Sequence, residues 1–229
     1  MFDANAIGER LATVRGRIDD AARRAGRTPG GVTLVLASKT QPNDALAAAY
    51  RAGAREFGEN YVQEAMRKRE ALGSVSDVRW HLIGHLQTNK AKLAVRTFDL
   101  IQSLDSARLA QALGRAQNTP RVRALIEVNV GGEITKSGIA PTEVEQLIDA
   151  ARETVDLAGL MTIPPPTGGP TRTRRYFAQL RELRGRLAAA TGLELSELSM
   201  GMTDDYEVAV EEGATIVRVG RAVFGERQR

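Results

Sequence analysis

Val32-Thr33-Leu34-Val35-Leu36-Ala37 is apolar on both faces and breaks directly into Ser38-Lys39-Thr40. A strand of that pattern is covered on both sides, as in parallel sheets. Thr28-Pro29-Gly30-Gly31 punctuates the chain before it, and Pro42 to Ala52 after it reads as a helix followed by Gly53. The same strand-then-helix unit recurs to the C-terminus. Arg55 to Gly58 is a short strand candidate leading to a helix over 59–72, 79–83 a strand with a helix over 88–95, and 98–102 a strand with a helix over 106–117. Val122 to Val130 is the clearest strand, with a Gly-rich loop and a helix over 141–154 behind it. Leu157 to Met161 leads through a Pro/Gly-rich loop (163–170) to a long helix over 171–191. The strand at 195–198, a helix over 204–212 and a strand at 214–219 complete the series. Ahead of the first strand, Ile7, Leu11, Val14, Ile18, Ala21 and Ala25 recur at spacings of three and four, which marks an amphipathic helix ending near Gly26.

Eight strand candidates alternating with helices over 229 residues give about 29 residues per unit, close to one βαβ step. This predicts a (β/α)8 barrel of the TIM type, preceded by one extra helix and spanning 1–229 as a single domain. Alternation alone does not show closure, so a doubly wound open sheet is the competing architecture. No internal repeat, linker or low-complexity tract marks a second domain.

The chain has no cysteine, which excludes a disulfide framework, a thiolate metal site and a cysteine nucleophile, and suits a reducing compartment. No apolar run approaches the roughly 18–20 residues of a membrane span, and the start MFDANAIGER is acidic and polar where a secretory signal would be basic and then apolar. A soluble, cytoplasmic protein is expected. The net charge of +4 is mild and interleaved along the chain, which does not announce a nucleic-acid binder. Of 32 basic residues, only Lys39, Lys68, Lys90, Lys92 and Lys136 are lysines. Chemistry that needs an amine therefore has few candidates.

Sites in parallel α/β architectures lie beyond the carboxyl ends of the strands. Lys39 is the lysine at such a position; Lys68, inside Arg67-Lys68-Arg69, is expected on a surface helix with Lys90 and Lys92 on another, and Lys136 on a loop. An amine in a desolvated mouth is disfavoured as ammonium, and the neutral form attacks an aldehyde to give a Schiff base. The alternative is a lysine that snorkels to solvent or pairs with a carboxylate such as Glu59. Ser199-Met200-Gly201-Met202 after strand seven and Gly220-Arg221 after strand eight supply a hydroxyl, flexible backbone and a close-approach glycine, as barrel phosphate sites require. Glycines serving only turns are the other reading.

Six ordered motifs, Leu36-Ala-Ser-Lys39-Thr, Phe57-Gly-Glu-Asn60-Tyr-Val-Gln-Glu64, Trp80 to Lys90, Gly159-Leu-Met161, Leu198-Ser199-Met-Gly201-Met and Val217-Arg218-Val-Gly220-Arg221, together resemble the pyridoxal phosphate homeostasis protein family. That family is a single-domain relative of the alanine racemase N-terminal barrel. The resemblance implies that Lys39 carries pyridoxal 5′-phosphate (PLP) as an internal aldimine. It implies further that Ser199, Gly201, Met202, Gly220 and Arg221 surround the phosphate, that Arg218 faces the pyridine nitrogen, and that Asn60 lies near the ring. An arginine at the ring nitrogen makes the cofactor a weak electron sink. Racemases resembling this barrel add a tyrosine from a further domain, for which this chain offers no obvious substitute. The expected function is therefore intracellular PLP homeostasis with little or no catalysis, PLP-dependent apoenzymes being candidate recipients and the protein a monomer. The competing functions are a PLP-dependent amino-acid racemase or lyase, and nucleic-acid or protein binding through the arginines of 172–186. Those arginines, with Glu182 among them, read more simply as a solvated helix face. His81 and His85 lie across Gly84 on a strand end, not on one helix face as a zinc pair would.

Overall fold

The computed structural model describes residues 4–73, 75–116, 120–133, 136–166 and 169–225. Gln117, at the expected end of one helix, and Gly168, in the Pro-rich loop, lie outside the described residues. Strands β1 (Thr33–Ala37), β2 (Glu56–Glu59), β3 (Arg79–Leu82), β4 (Leu100–Leu104), β5 (Arg123–Glu127), β6 (Asp156–Met161), β7 (Glu197–Ser199) and β8 (Ile216–Val219) pair in parallel in chain order. Strand β8 then pairs with β1 from Thr33↔Ile216 to Leu36↔Val219, so the sheet is a closed barrel and not the open alternative.

Helix α1 (Ala4–Arg24) precedes the barrel, and α2 (Asn43–Arg51), α3 (Val62–Leu72), α4 (Ala91–Thr97), α5 (Ala107–Ala116), α6 (Val144–Ala151), α7 (Pro170–Thr191), α8 (Tyr206–Glu211) and α9 (Arg221–Phe224) follow successive strands. Helix α9 is a single turn. The stripe Ile7, Leu11, Val14 and Ile18 of α1 is buried, and α1 packs on α2, α8 and α9, filling the place in the outer ring that one turn leaves open.

Several element ends differ from the sequence expectation, each for a local reason. Strand β4 starts two residues late because the Asp99 carboxylate accepts the Trp80 N–H at 2.7 Å in the approach to the strand. Strand β5 stops at Glu127 rather than Val130, the chain continuing through a single bridge between Val128 and Ile139. Helix α8 starts at Tyr206 rather than Asp204, since the Asp205 carboxylate accepts the Met202 N–H at 2.7 Å and closes the preceding loop.

Strand alternation sorts side chains into two layers. Outward residues such as Leu36, Phe57, Trp80, Ile126, Leu160 and Val217 form the main core beneath the helices. Inward residues Val35, Leu100, Leu125, Ala158, Met161 and Ile216 form a smaller apolar plug. Two residues further along their strands the inward positions turn polar: Gln102 after Leu100, Glu127 after Leu125 and Arg218 after Ile216. The period of two thus carries an apolar plug into a polar upper layer.

Strands β6 and β7 lie close together at Gly159, where an added Cβ would overlap the Glu197 carbonyl oxygen. Gly159→Ala must therefore push these neighbouring barrel strands away from each other. We expect it to destabilise the fold by about 1–3 kcal/mol or more, read as a lower midpoint in urea unfolding. An unchanged midpoint would show that the strands are not so tightly apposed.

Candidate functional site

The carboxyl ends of the strands open on a cavity of about 430 Å³, within the range of small-molecule sites. Lys39, Asn60, Met202, Arg218, Gly220 and Arg221 all line it, so six of the eight residues named from the sequence converge there from several strand ends and loops. Ser199 and Gly201 stand behind the wall. Ser199 is fully buried, and its hydroxyl accepts from Arg218 Nη1 at 2.5 Å. Gly201 holds φ +92°, a Cβ there would meet that of Ala209 at 2.5 Å, and its carbonyl accepts the Arg218 N–H at 3.0 Å. Both residues support the arginine.

Lys39 leaves the end of β1 half-buried, with no hydrogen-bond or ion-pair partner among the described residues. The expected alternative partner, Glu59, is engaged elsewhere. Its Oε1 accepts from Ser38 Oγ at 2.6 Å and from Lys68 Nζ at 2.8 Å. Lys68 is not the solvated surface amine its Arg67-Lys68-Arg69 setting predicts. It is 4% exposed, because Glu59 falls on the outward face of β2 with Phe57 and draws the ammonium into the layer between barrel and α3.

Arg218 is buried on the inward face of β8, and Nη2 donates to the Thr162 carbonyl at 2.7 Å. Burial lowers its pKa to about 10, opposed by the charges of Glu127 and Asp205, so it stays cationic at neutral pH. Ser199 passes the connection on: its hydroxyl donates to Gln102 Oε1 at 2.6 Å, and Gln102 Nε2 meets His81 Nδ1 at 2.9 Å. With Nδ1 accepting, the ring proton sits on Nε2, which donates to Glu56 Oε2 at 2.7 Å. A hydrogen-bonded chain therefore crosses the barrel interior from Arg218 to Glu56. His81 is spent in that chain, and His85 pairs with Asp105 at 3.1 Å on the rim. Among the described residues no group of three or more His, Cys, Asp or Glu could hold a metal ion. No helix among them is long and apolar enough to cross a membrane.

Glu127 also lines the cavity, from β5, four strands from Lys39 in either direction around the barrel. Burial, with the Asp105 charge added, pushes its carboxyl up to about 7 against the pull of Arg218 and His85. At the rim, Arg221 pairs with Asp204 at 2.5 Å, and a Cβ on Gly220 would stand 3.0 Å from the Ala37 carbonyl oxygen, which keeps that wall free of a side chain. Sequence reasoning missed the structural parts of Gln102, Thr162 and Lys68. The inward register of Gln102, two residues beyond Leu100, was the available signal for the first.

The family model of the alanine racemase N-terminal domain matches residues 10–228. The pyridoxal phosphate homeostasis protein of Aquifex aeolicus is 46% identical over 224 residues, covering 96% of this chain and 98% of that protein. This chain belongs to the pyridoxal phosphate homeostasis protein family. The solved structure of PipY of Synechococcus elongatus PCC7942 with PLP bound is 38% identical with a TM-score of 0.83, covering 96% of this chain and 100% of the other. Alanine racemase from Corynebacterium glutamicum shares the fold at a TM-score of 0.70 and 20% identity, this chain spanning 63% of its length. The barrel of this chain thus has the fold of the alanine racemase N-terminal domain.

The Glu127 carboxyl holds its proton more tightly in the fold than in the unfolded chain. Its contribution to stability is full below pH 4.5 and is lost as pH rises toward about 7. Glu127→Gln cannot ionise. Relative to the unsubstituted protein it should gain stability over that interval, on the order of 3 kcal/mol, and the gain should be level above it. Urea unfolding at a series of pH values measures this; parallel pH profiles for the two proteins would contradict it.

Proposed function

We propose that this protein binds PLP through Lys39 and serves intracellular PLP homeostasis as a carrier, with little or no turnover of amino acids. The observation that carries the reading is the convergence of one unpaired amine, Lys39, and two guanidinium groups, Arg218 and Arg221, on one cavity of cofactor size. The fit rests on the donor set and on the Gly220 wall, where no side chain competes with a bound group. PLP, when bound, supplies an electrophilic aldehyde and an electron-withdrawing ring.

The chain's residues then divide the work. Lys39 offers its amine to the aldehyde. Arg221 and the Gly220 and Met202 backbone serve the phosphate at the rim, with Ser199 and Gly201 as the support behind them, and Asn60 flanks the ring. Arg218 faces the ring nitrogen as a permanent cation that donates a hydrogen bond and accepts no proton, so the nitrogen stays unprotonated. Glu127, when ionised, repels a second anion, which the carboxylate of an amino-acid substrate would bring. An amino-acid racemase or lyase is supported only by the shared fold. The arginine-rich face of α7 is partly committed: Arg174 pairs with Glu211 and Glu212, and Arg181 with Glu212. Nucleic acid and membrane are not among the proposed partners. We take residues 1–229 to act as one PLP-binding domain, cytoplasmic and monomeric, with PLP-dependent apoenzymes as recipients.

Titration of the purified protein with PLP should give a visible absorbance band that dialysis does not remove. Lys39→Ala should lose that retention, and a panel of amino acids should show no turnover above free PLP. A colourless protein that retains no PLP would overturn the reading, and sustained Lys39-dependent turnover would make it an enzyme.

A further inference from the structure

Nothing attached to the Lys39 side chain sets its direction, since among the described residues its ammonium has no hydrogen-bond or ion-pair partner. A lysine stem is flexible, so its aim must come from the backbone on either side. Both flanks are held by one buried cluster. On the N-terminal side the Ser38 carbonyl accepts from Lys68 Nζ at 2.6 Å, and the Ser38 hydroxyl donates to Glu59 Oε1. On the C-terminal side the Thr40 N–H donates to Glu64 Oε1 at 2.7 Å. Lys68 joins the two flanks: its three ammonium protons go to Ser38 O, Glu59 Oε1 and Glu64 Oε1, the last at 2.7 Å.

The backbone held in this way is not a relaxed one. Thr40 has φ +66° and is the only non-glycine residue with positive φ among those described. A β-branched residue there is a genuine outlier, and such conformations persist only where the surroundings over-determine them. Burying an ammonium at 4% exposure is also costly unless it is fully paired, and apolar residues in place of both Lys68 and Glu59 would fill the same layer without that cost. The ammonium is matched at all three protons, while Glu59 Oε2 in the same cluster is buried without a hydrogen-bond partner, so the arrangement fits a device that fixes geometry better than one that adds stability.

We propose that Lys68 is a positioning residue for Lys39: with Glu59 and Glu64 it clamps residues 38 and 40 and so sets the direction in which the Lys39 amine enters the cavity. The inference rests on the carrier reading, in which Lys39 is the attachment point. A double-mutant cycle with PLP as the probe tests it. Lys68→Met in the full chain should weaken PLP retention about 10- to 100-fold, the scale set by a small misplacement of a reacting group. In a Lys39→Ala background the same substitution should leave the remaining, non-covalent PLP affinity unchanged. Glu64→Ala frees the Thr40 N–H while leaving Lys68 paired with Glu59 and Ser38, and should repeat the pattern with a smaller loss if Lys68→Met does not fold. Equal losses in both backgrounds would mean general damage to the cavity and would overturn the positioning role alone. A parent protein that retains no PLP would overturn the carrier reading and this inference with it.

Discussion

Burying the Arg218 guanidinium inside a closed barrel constrains nearly everything at the carboxyl end of the strands. A cation that deep is tolerable only if its donors are matched, and the matching acceptors come from neighbouring strand ends: Ser199 from β7 and the Thr162 carbonyl beyond β6. Ser199 can accept from the arginine only by sending its own proton on to Gln102, which in turn fixes His81 and Glu56. A connected arrangement therefore runs from Arg218 and Gln102 in the polar upper layer down to His81 and Glu56, which lie level with the plug residues Leu100 and Val35. Networks of this kind specify a single geometry when every member is satisfied.

Lys39 lies between that inner network and an outer one. Lys68, Glu59 and Glu64 hold the backbone of Ser38 and Thr40 from the helix layer, while Arg218 and Glu127 set the charge of the cavity from within. The two systems are on opposite faces of the same sheet, and the Lys39 amine, which has no hydrogen-bond or ion-pair partner among the described residues, enters the cavity between them. The cavity then needs little beyond what the strand ends supply: guanidinium groups, a bare glycine wall and an amine.

The barrel was legible because double-sided apolar strands such as 32–37 and 122–130 alternate with helical periodicity along the whole chain. Closure was not, since it depends on β8 finding β1, a pairing that no local pattern encodes. Lys39 stood out because an amine at the end of an apolar strand is unusual. Lys68 was misread because Arg67-Lys68-Arg69 has the composition of a solvated helix face; only the outward register of Glu59 pulls it inside. Ser199 and Gly201 were picked for their residue types, but the alternation of β7 turns the Ser199 hydroxyl toward Arg218 and behind the cavity wall. Gln102 reads only as a polar residue within a strand, and His81 only against a zinc pair with His85, although each falls on the inward face where the hydrogen-bonded chain runs.

Lys39, among the five lysines, is the residue to which PLP is proposed to become attached, and the proposed role of the cavity depends on that amine. Borohydride reduction of the PLP-loaded protein followed by peptide mass mapping tests this most directly. A single modified peptide, the one containing Lys39, is expected. Modification at Lys68, Lys90, Lys92 or Lys136 with Lys39 untouched would contradict it.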